Sequence, residues 1–199
     1  MRDEAIKMTT LKIIAVGLAL AWTAAPAGAA EPAPKLFTLS SPAFADNAVL
    51  PLKYAGGTLC GKDSRGGNVS PPLAWINPPA GTKSFAVVMI DPDGRRGLGS
   101  VHWLAYNIPA SRTALQEGEG GDPPPADVTP GKNSRGTPGY TGPCGPPADA
   151  QHHYVVDVLA LDLAPGALPS GLDRDHLFAA LSGHSLGPAS LVVRYRREP

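Results

Sequence analysis

One stretch limits the fold more than any other: Ser84 to Pro109, SFAVVMIDPDGRRGLGSVHWLAYNIP. Phe85 to Ile90 is an almost unbroken apolar run, which predicts a strand covered on both faces. It stops at Asp91-Pro92-Asp93-Gly94, where proline and glycine end ladder pairing. A second run begins at Val101 and alternates through Ile108. If the two pair antiparallel, Asp91 at one strand end lies near His102 at the start of the next. A carboxylate and an imidazole beside a glycine-rich loop make a polar spot on an apolar wall, the usual setting of a ligand site.

With 199 residues the chain suits one domain with a proper core. Only 17% of residues are charged, and 23 Gly and 23 Pro point to short strands joined by turns. Residues 1–29 read as a cleaved signal peptide. Arg2, Lys7 and Lys12 precede an apolar core from Ile13 to Trp22, and Pro26 leads into Ala27-Gly28-Ala29. The competing reading is an uncleaved anchor, for which the apolar stretch is short. Cleavage leaves residues 30–199 as a single domain with a net charge of about −1, so the basic surplus that nucleic-acid binding requires is missing. Export places the product in the periplasm or outside the cell. There Cys60 and Cys144 are expected to pair, with two free thiols as the alternative.

Further along, Lys35–Ser40 and Val49–Tyr54 read as strands, and Cys60 to Trp75 as loop until Leu73. Asn68-Val69-Ser70, a sequon by letters, reads as structural. Residues 116–139, rich in Pro and Gly, have a composition that neither packs nor pairs; their first half reads as a mobile surface excursion. Gln151 to Asp162 is a third strong strand. Its parity puts His152, Tyr154, Val156 and Val158 on one face and His153 on the other. Asp173 is placed to cap a helix stopped by Gly183, and Ala189–Tyr195 is the last strand. Gly183-His184-Ser185-Leu186-Gly187 spells a serine elbow, but a helix precedes it and a strand follows, the reverse of what that motif needs.

Together, DPDG…VHWLAYNIP and GPCGPP…HHYVVDVLALD resemble the two signature regions of the phosphatidylethanolamine-binding protein family, in its bacterial Raf-kinase-inhibitor-like branch. Asn68 to Trp75, Pro79 to Phe85 and Gly183-His184 extend the likeness over nearly the whole mature chain. The resemblance implies a mostly β, Greek-key β-sandwich with one or two short peripheral helices and a small pocket for phosphate-like anions. It assigns that pocket to Asp91, His102, His152 and Tyr154, with Gly142 lining the mouth. Three positions depart from the family pattern: Arg95 replaces a loop proline, His153 replaces an arginine, and Gly145 is inserted after Cys144.

The expected function is an exported, non-catalytic module for a small anion or phosphorylated headgroup, with no cofactor and at most peripheral membrane contact. In this reading Asp91 fixes the tautomer of His102 and favours its protonated form, or meets the ammonium of a zwitterionic headgroup. The alternative is an inhibitor or regulatory partner of another exported protein, using residues 116–139 as its contact surface. A third reading makes Asp91, Asp93, His102 and His152 a metal-assisted hydrolytic set.

Overall fold

A computed structural model describes residues 35–198 other than residues 63, 122 and 148. The leader expected at residues 1–29 lies outside the described residues. Nine strands are described: β1 Thr38–Ser40, β2 Ala48–Val49, β3 Leu73–Ile76, β4 Ser84–Asp91, β5 Ser100–Pro109, β6 Ala114–Leu115, β7 Thr129–Pro130, β8 His152–Leu161 and β9 Ser185–Tyr195. They form a six-stranded sheet in the order β2-β9-β8-β4-β5-β7 and a three-stranded sheet in the order β1-β3-β6. All pairings are antiparallel except that of β2 with β9. One eight-residue helix, α1 (Arg174–Leu181), lies between β8 and β9 in the chain. The mostly β sandwich expected from the sequence is the architecture observed.

β4 is central because it has two apolar faces to bury. Phe85, Val87 and Met89 enter the core between the sheets, along with Leu73 and Trp75 from β3 and Val156 and Val158 from β8. Ala86 and Val88 face the other way, into a second core with Leu104, Tyr106, Leu177 and Leu181. Burying each large side chain stabilises by about 2 kcal/mol relative to exposure. The Asp173 carboxylate accepts a hydrogen bond from the His176 amide (3.0 Å) and starts α1. Leu177 and Leu181, four residues apart, then turn one helix face to the sheet.

Register decides which face each β5 side chain meets. Met89 pairs with Trp103, but Ile90 pairs with Val101, so His102 is the extra residue of a β-bulge. A second irregularity lies between Phe85 and Val87, opposite Asn107, whose φ is 58°. The Asn107 amide group donates to Leu168 O (2.9 Å) and to Thr129 Oγ1 of β7 (3.0 Å), fastening the bulge to the loop after β8 and to the edge strand. Bulges of this kind turn a side chain that simple alternation would send elsewhere.

Two expectations are corrected. Val49–Tyr54 is not a strand: pairing ends at Val49, Pro51 follows, and Leu52–Tyr54 is a 3₁₀ turn that buries the Tyr54 ring. Residues 116–139 do pack and pair, using polar partners where apolar residues are scarce. Arg112 bridges Glu119 (2.6 Å) and Asp127 (3.1 Å), and the Gly120 amide donates to buried Ser70 Oγ (2.8 Å). Thr129–Pro130 pairs with Ala105–Tyr106, and buried Asn133 donates to Gly139 O (3.1 Å). Ser185, in the motif declined above, is exposed at the start of β9.

Candidate functional site

At the end of the large sheet, the last residue of β4, the bulge of β5 and the first residues of β8 meet. Pro92 stops β4, so the Asp91 side chain lies at the rim of the sheet yet remains only 3% exposed. Its Oδ1 accepts from the Gly94 amide (2.9 Å) and its Oδ2 from His152 Nδ1 (2.8 Å). Gly94 is required here by space: a Cβ would lie 2.9 Å from Asp91 Oδ2 and 2.8 Å from Ser100 Oγ.

His102 reaches the same spot only through the bulge. By alternation from Trp103, which sits in the core between the sheets, it would point into the second core with Leu104. Instead its ring packs edge-on against Tyr154 (centroids 5.1 Å apart), a member of the first core. His102 Nδ1 lies 2.7 Å from the Thr141 carbonyl. A carbonyl can only accept, so Nδ1 carries the proton, and Nε2 faces Asp91 Oδ2 at 4.0 Å.

This geometry corrects the role expected of Asp91. The Thr141 carbonyl holds the tautomer of His102, while Asp91 is hydrogen-bonded to His152. Burial pushes the His102 pKa below the ordinary histidine value, and the Thr141 hydrogen bond and Asp91 charge only partly oppose it. His152 behaves the other way. Burial again disfavours its charge, but the Asp91 hydrogen bond and the charges of Asp91, Asp149 and Asp93 outweigh it and raise the pKa. One carboxylate between two imidazoles thus favours the charged form of His152, while burial favours the neutral form of His102. In Asp91→Asn the His152 pKa is expected to fall, followed as the titration of its ring signals by NMR; an unmoved midpoint would exclude Asp91 as the cause.

A cavity of about 300 Å³ opens above this group, lined among others by Asp91, Arg95, His102, Ser134, Arg135, Thr141, Cys144 and His152. Tyr154 does not line it. Its ring is 1% exposed, behind His102 and stacked on His152 (centroids 6.4 Å apart). Burial first, and then Asp91, raises its hydroxyl pKa far out of reach of neutral pH. Gly142 does not line it either. Its amide donates to Asn68 Oδ1 (2.8 Å), and it packs against the Tyr54–Gly56 backbone. That contact also gives Asn68 the structural role expected of it. His153 turns outward as parity predicted and binds Asp93 through its amide (2.8 Å) and Nδ1 (2.9 Å).

Cys60 and Cys144 form a disulfide, with Cα atoms 5.2 Å apart. It ties the cavity wall to the turn at Thr58–Cys60. Sequence reasoning missed Ser134, Arg135 and Thr141. No local pattern marks them, because their place depends on how residues 131–141 fold back on β5. Among the described residues, no group of three or more His, Cys, Asp or Glu side chains is disposed to hold a metal ion, and no helix is long and apolar enough to cross a membrane.

Comparison with known proteins adds a family to this geometry. Residues 40–196 match the family described as phosphatidylethanolamine-binding protein. The chain is 37% identical over 161 residues to a UPF0098 protein of Methanothermobacter thermautotrophicus, covering 80% of this chain and 98% of that one. It is 38% identical over 146 residues to LppC of Mycobacterium tuberculosis, named as a lipoprotein, covering 71% of this chain and 64% of that one. Among solved structures it resembles Escherichia coli YbcL, described as a member of the mammalian PEBP family. The TM-score is 0.73 at 32% identity, over 81% of this chain and 99% of the other. CT736 from Chlamydia trachomatis gives a TM-score of 0.68 at 29% identity, over 81% and 98%. The match covers the core strands, the bulge and the strand ends that frame the cavity, and the chain belongs to the phosphatidylethanolamine-binding protein family.

Proposed function

We propose that the chain is an exported binding module for a small phosphate-like anion, taken up in the cavity above Asp91, His102 and His152. The observation that carries this reading is the part-buried Asp91–His152 hydrogen bond, which favours the protonated imidazole at the wall of a cavity sized for a small anion. His102 is a second donor in waiting. An anion within reach of Nε2 favours the imidazolium that burial alone disfavours. Asp91 is already engaged by His152 and Gly94, which leaves it poorly placed to receive a ligand's ammonium. Likeness to a relative named as a lipoprotein supports export, as does the disulfide, a bond that lasts in oxidising compartments.

The sign of the pH dependence follows from the two imidazoles. The raised pKa of His152 means that its charge is complete well below that value and is lost as pH rises through it. His102, with a lowered pKa, gains charge only at still lower pH or when an anion is present. Both changes weaken anion binding as the solution becomes alkaline. Sulfate is a suitable probe because its own charge is constant over the range. Calorimetric affinity for sulfate is expected to fall at least severalfold between about pH 5.5 and 8, and equal affinity at both ends would remove the histidines from the binding role.

A further inference from the structure

Two arginines at the cavity are unused by the reading above. Arg95 comes from the turn after β4 and lines the central cavity and both of the adjoining ones. Arg135 comes from residues 131–141 and lines the central cavity alone. Among the described residues neither guanidinium pairs with a carboxylate, whereas Lys53, Arg112 and Arg196 all do. Arg135 Nη2 contacts Cys144 Sγ at 3.0 Å, which holds the guanidinium at the lip.

The backbone under Arg95 is a second, independent observation. Arg95 and Arg96 have φ of 53° and 61°, between Gly94 and Gly97. A side chain with a Cβ is disfavoured in this left-handed region, and glycine is not. Strain held at the mouth of a cavity points to a side chain with a task there.

We propose that Arg95 and Arg135 select the charge of the ligand, so that the cavity takes a doubly negative phosphomonoester in preference to a singly negative phosphodiester. The inference rests on the anion-binding reading and goes beyond it. Inside the cavity the Asp91 charge is opposed by His152, and the two guanidinium groups add positive charge that nothing among the described residues of the central cavity offsets. Asp149 borders the neighbouring cavity at 3.6 Å from His152 Nε2, and Asp93 there is held by His153. A monoester at neutral pH carries close to two charges and three acceptor oxygens. That suits the fork of an arginine better than a diester, which has one charge and two such oxygens.

The test uses methyl phosphate and dimethyl phosphate, which differ by one methyl group and one charge, titrated calorimetrically at about pH 7.5 into the disulfide-bonded protein. The wild type is expected to prefer methyl phosphate by about tenfold or more, the worth of one charge-assisted hydrogen bond. Arg95→Gly is expected to raise Tm, because strain is relieved, while the preference shrinks. Arg135→Gln is expected to shrink the preference with Tm little changed, and the double variant to bring the ratio near one. A residue that merely shapes the turn would lose stability and both ligands together. A wild-type ratio near one, or variants that retain the wild-type ratio while sulfate still binds, overturns the selection alone. Failure of sulfate and both phosphates to bind the wild type overturns the anion-binding reading with it. Cosedimentation with vesicles containing phosphatidic acid identifies a lipid source for the monoester, and its absence beside methyl phosphate binding identifies a soluble one.

Discussion

Replacing Cys60 and Cys144 together by alanine is expected to lower Tm by roughly 10–15 °C. The bridge joins residues 84 apart in sequence. Removing a cross-link over a loop of that length returns about 4 to 5 kcal/mol of chain entropy to the unfolded state, and for a domain of this size each kcal/mol moves Tm by about 2–4 °C. Calorimetric scans of the double variant and of the protein under reductant check the number. The two should agree, because each removes the same constraint. The loss has a local consequence as well. Cys144 lines the cavity, and Cys60 is held to the end of the chain by Arg197, which donates to the Cys60 carbonyl at 2.8 Å. Sulfate binding should therefore weaken in the double variant at temperatures where it remains folded. An unchanged Tm would show that the unfolded chain is already restrained in this region.

Gly142→Ala is expected to cost about 3 kcal/mol, at the upper end of what overpacking usually brings. An added Cβ would lie 2.5 Å from both Gly56 N and Tyr54 O, and 2.6 Å from Ala55 C. All three are backbone atoms, so no side chain can rotate aside. The two segments are also pinned together by the Gly56 amide, which donates to Pro143 O at 2.8 Å. Urea denaturation should show a lower midpoint with an unchanged slope, the signature of lost stability without a change in the denatured state. A midpoint within about 0.5 kcal/mol of wild type would mean that these segments separate freely, and that the cavity wall is looser than the hydrogen bonds imply.

Parts of the site were legible in the sequence for a simple reason: they depend on local rules. Pro92 ends β4 whatever surrounds it, so Asp91 had to stand at a strand end. Period-two alternation put His152 and Tyr154 on one face and His153 on the other, and β8 is regular enough to keep it so. The capping of α1 by Asp173 is equally local. The misreadings share a cause too. Val49–Tyr54 has strand-like composition, but among the described residues its pairing with β9 stops after the Leu50 amide, which donates to Arg194 O (2.8 Å). Residues 116–139 are poor in apolar residues, yet Val128 enters the core, and Arg112 and Ser70 reach in from outside the segment to hold Glu119, Asp127 and Gly120.

From the sequence alone came the long strands β4, β5 and β8 with the stop at Pro92, the two-faced burial of β4, and the side of the sheet on which each β8 residue would stand. Only the tertiary structure decided that a bulge is what carries the His102 ring to Asp91, that Thr141 fixes its proton, and that Arg135 arrives at the same opening. A bulge is a mismatch between two strands, and a loop's landing place is set by what it packs against. Neither is a property of any short window of residues, so neither could be read before the chain was folded.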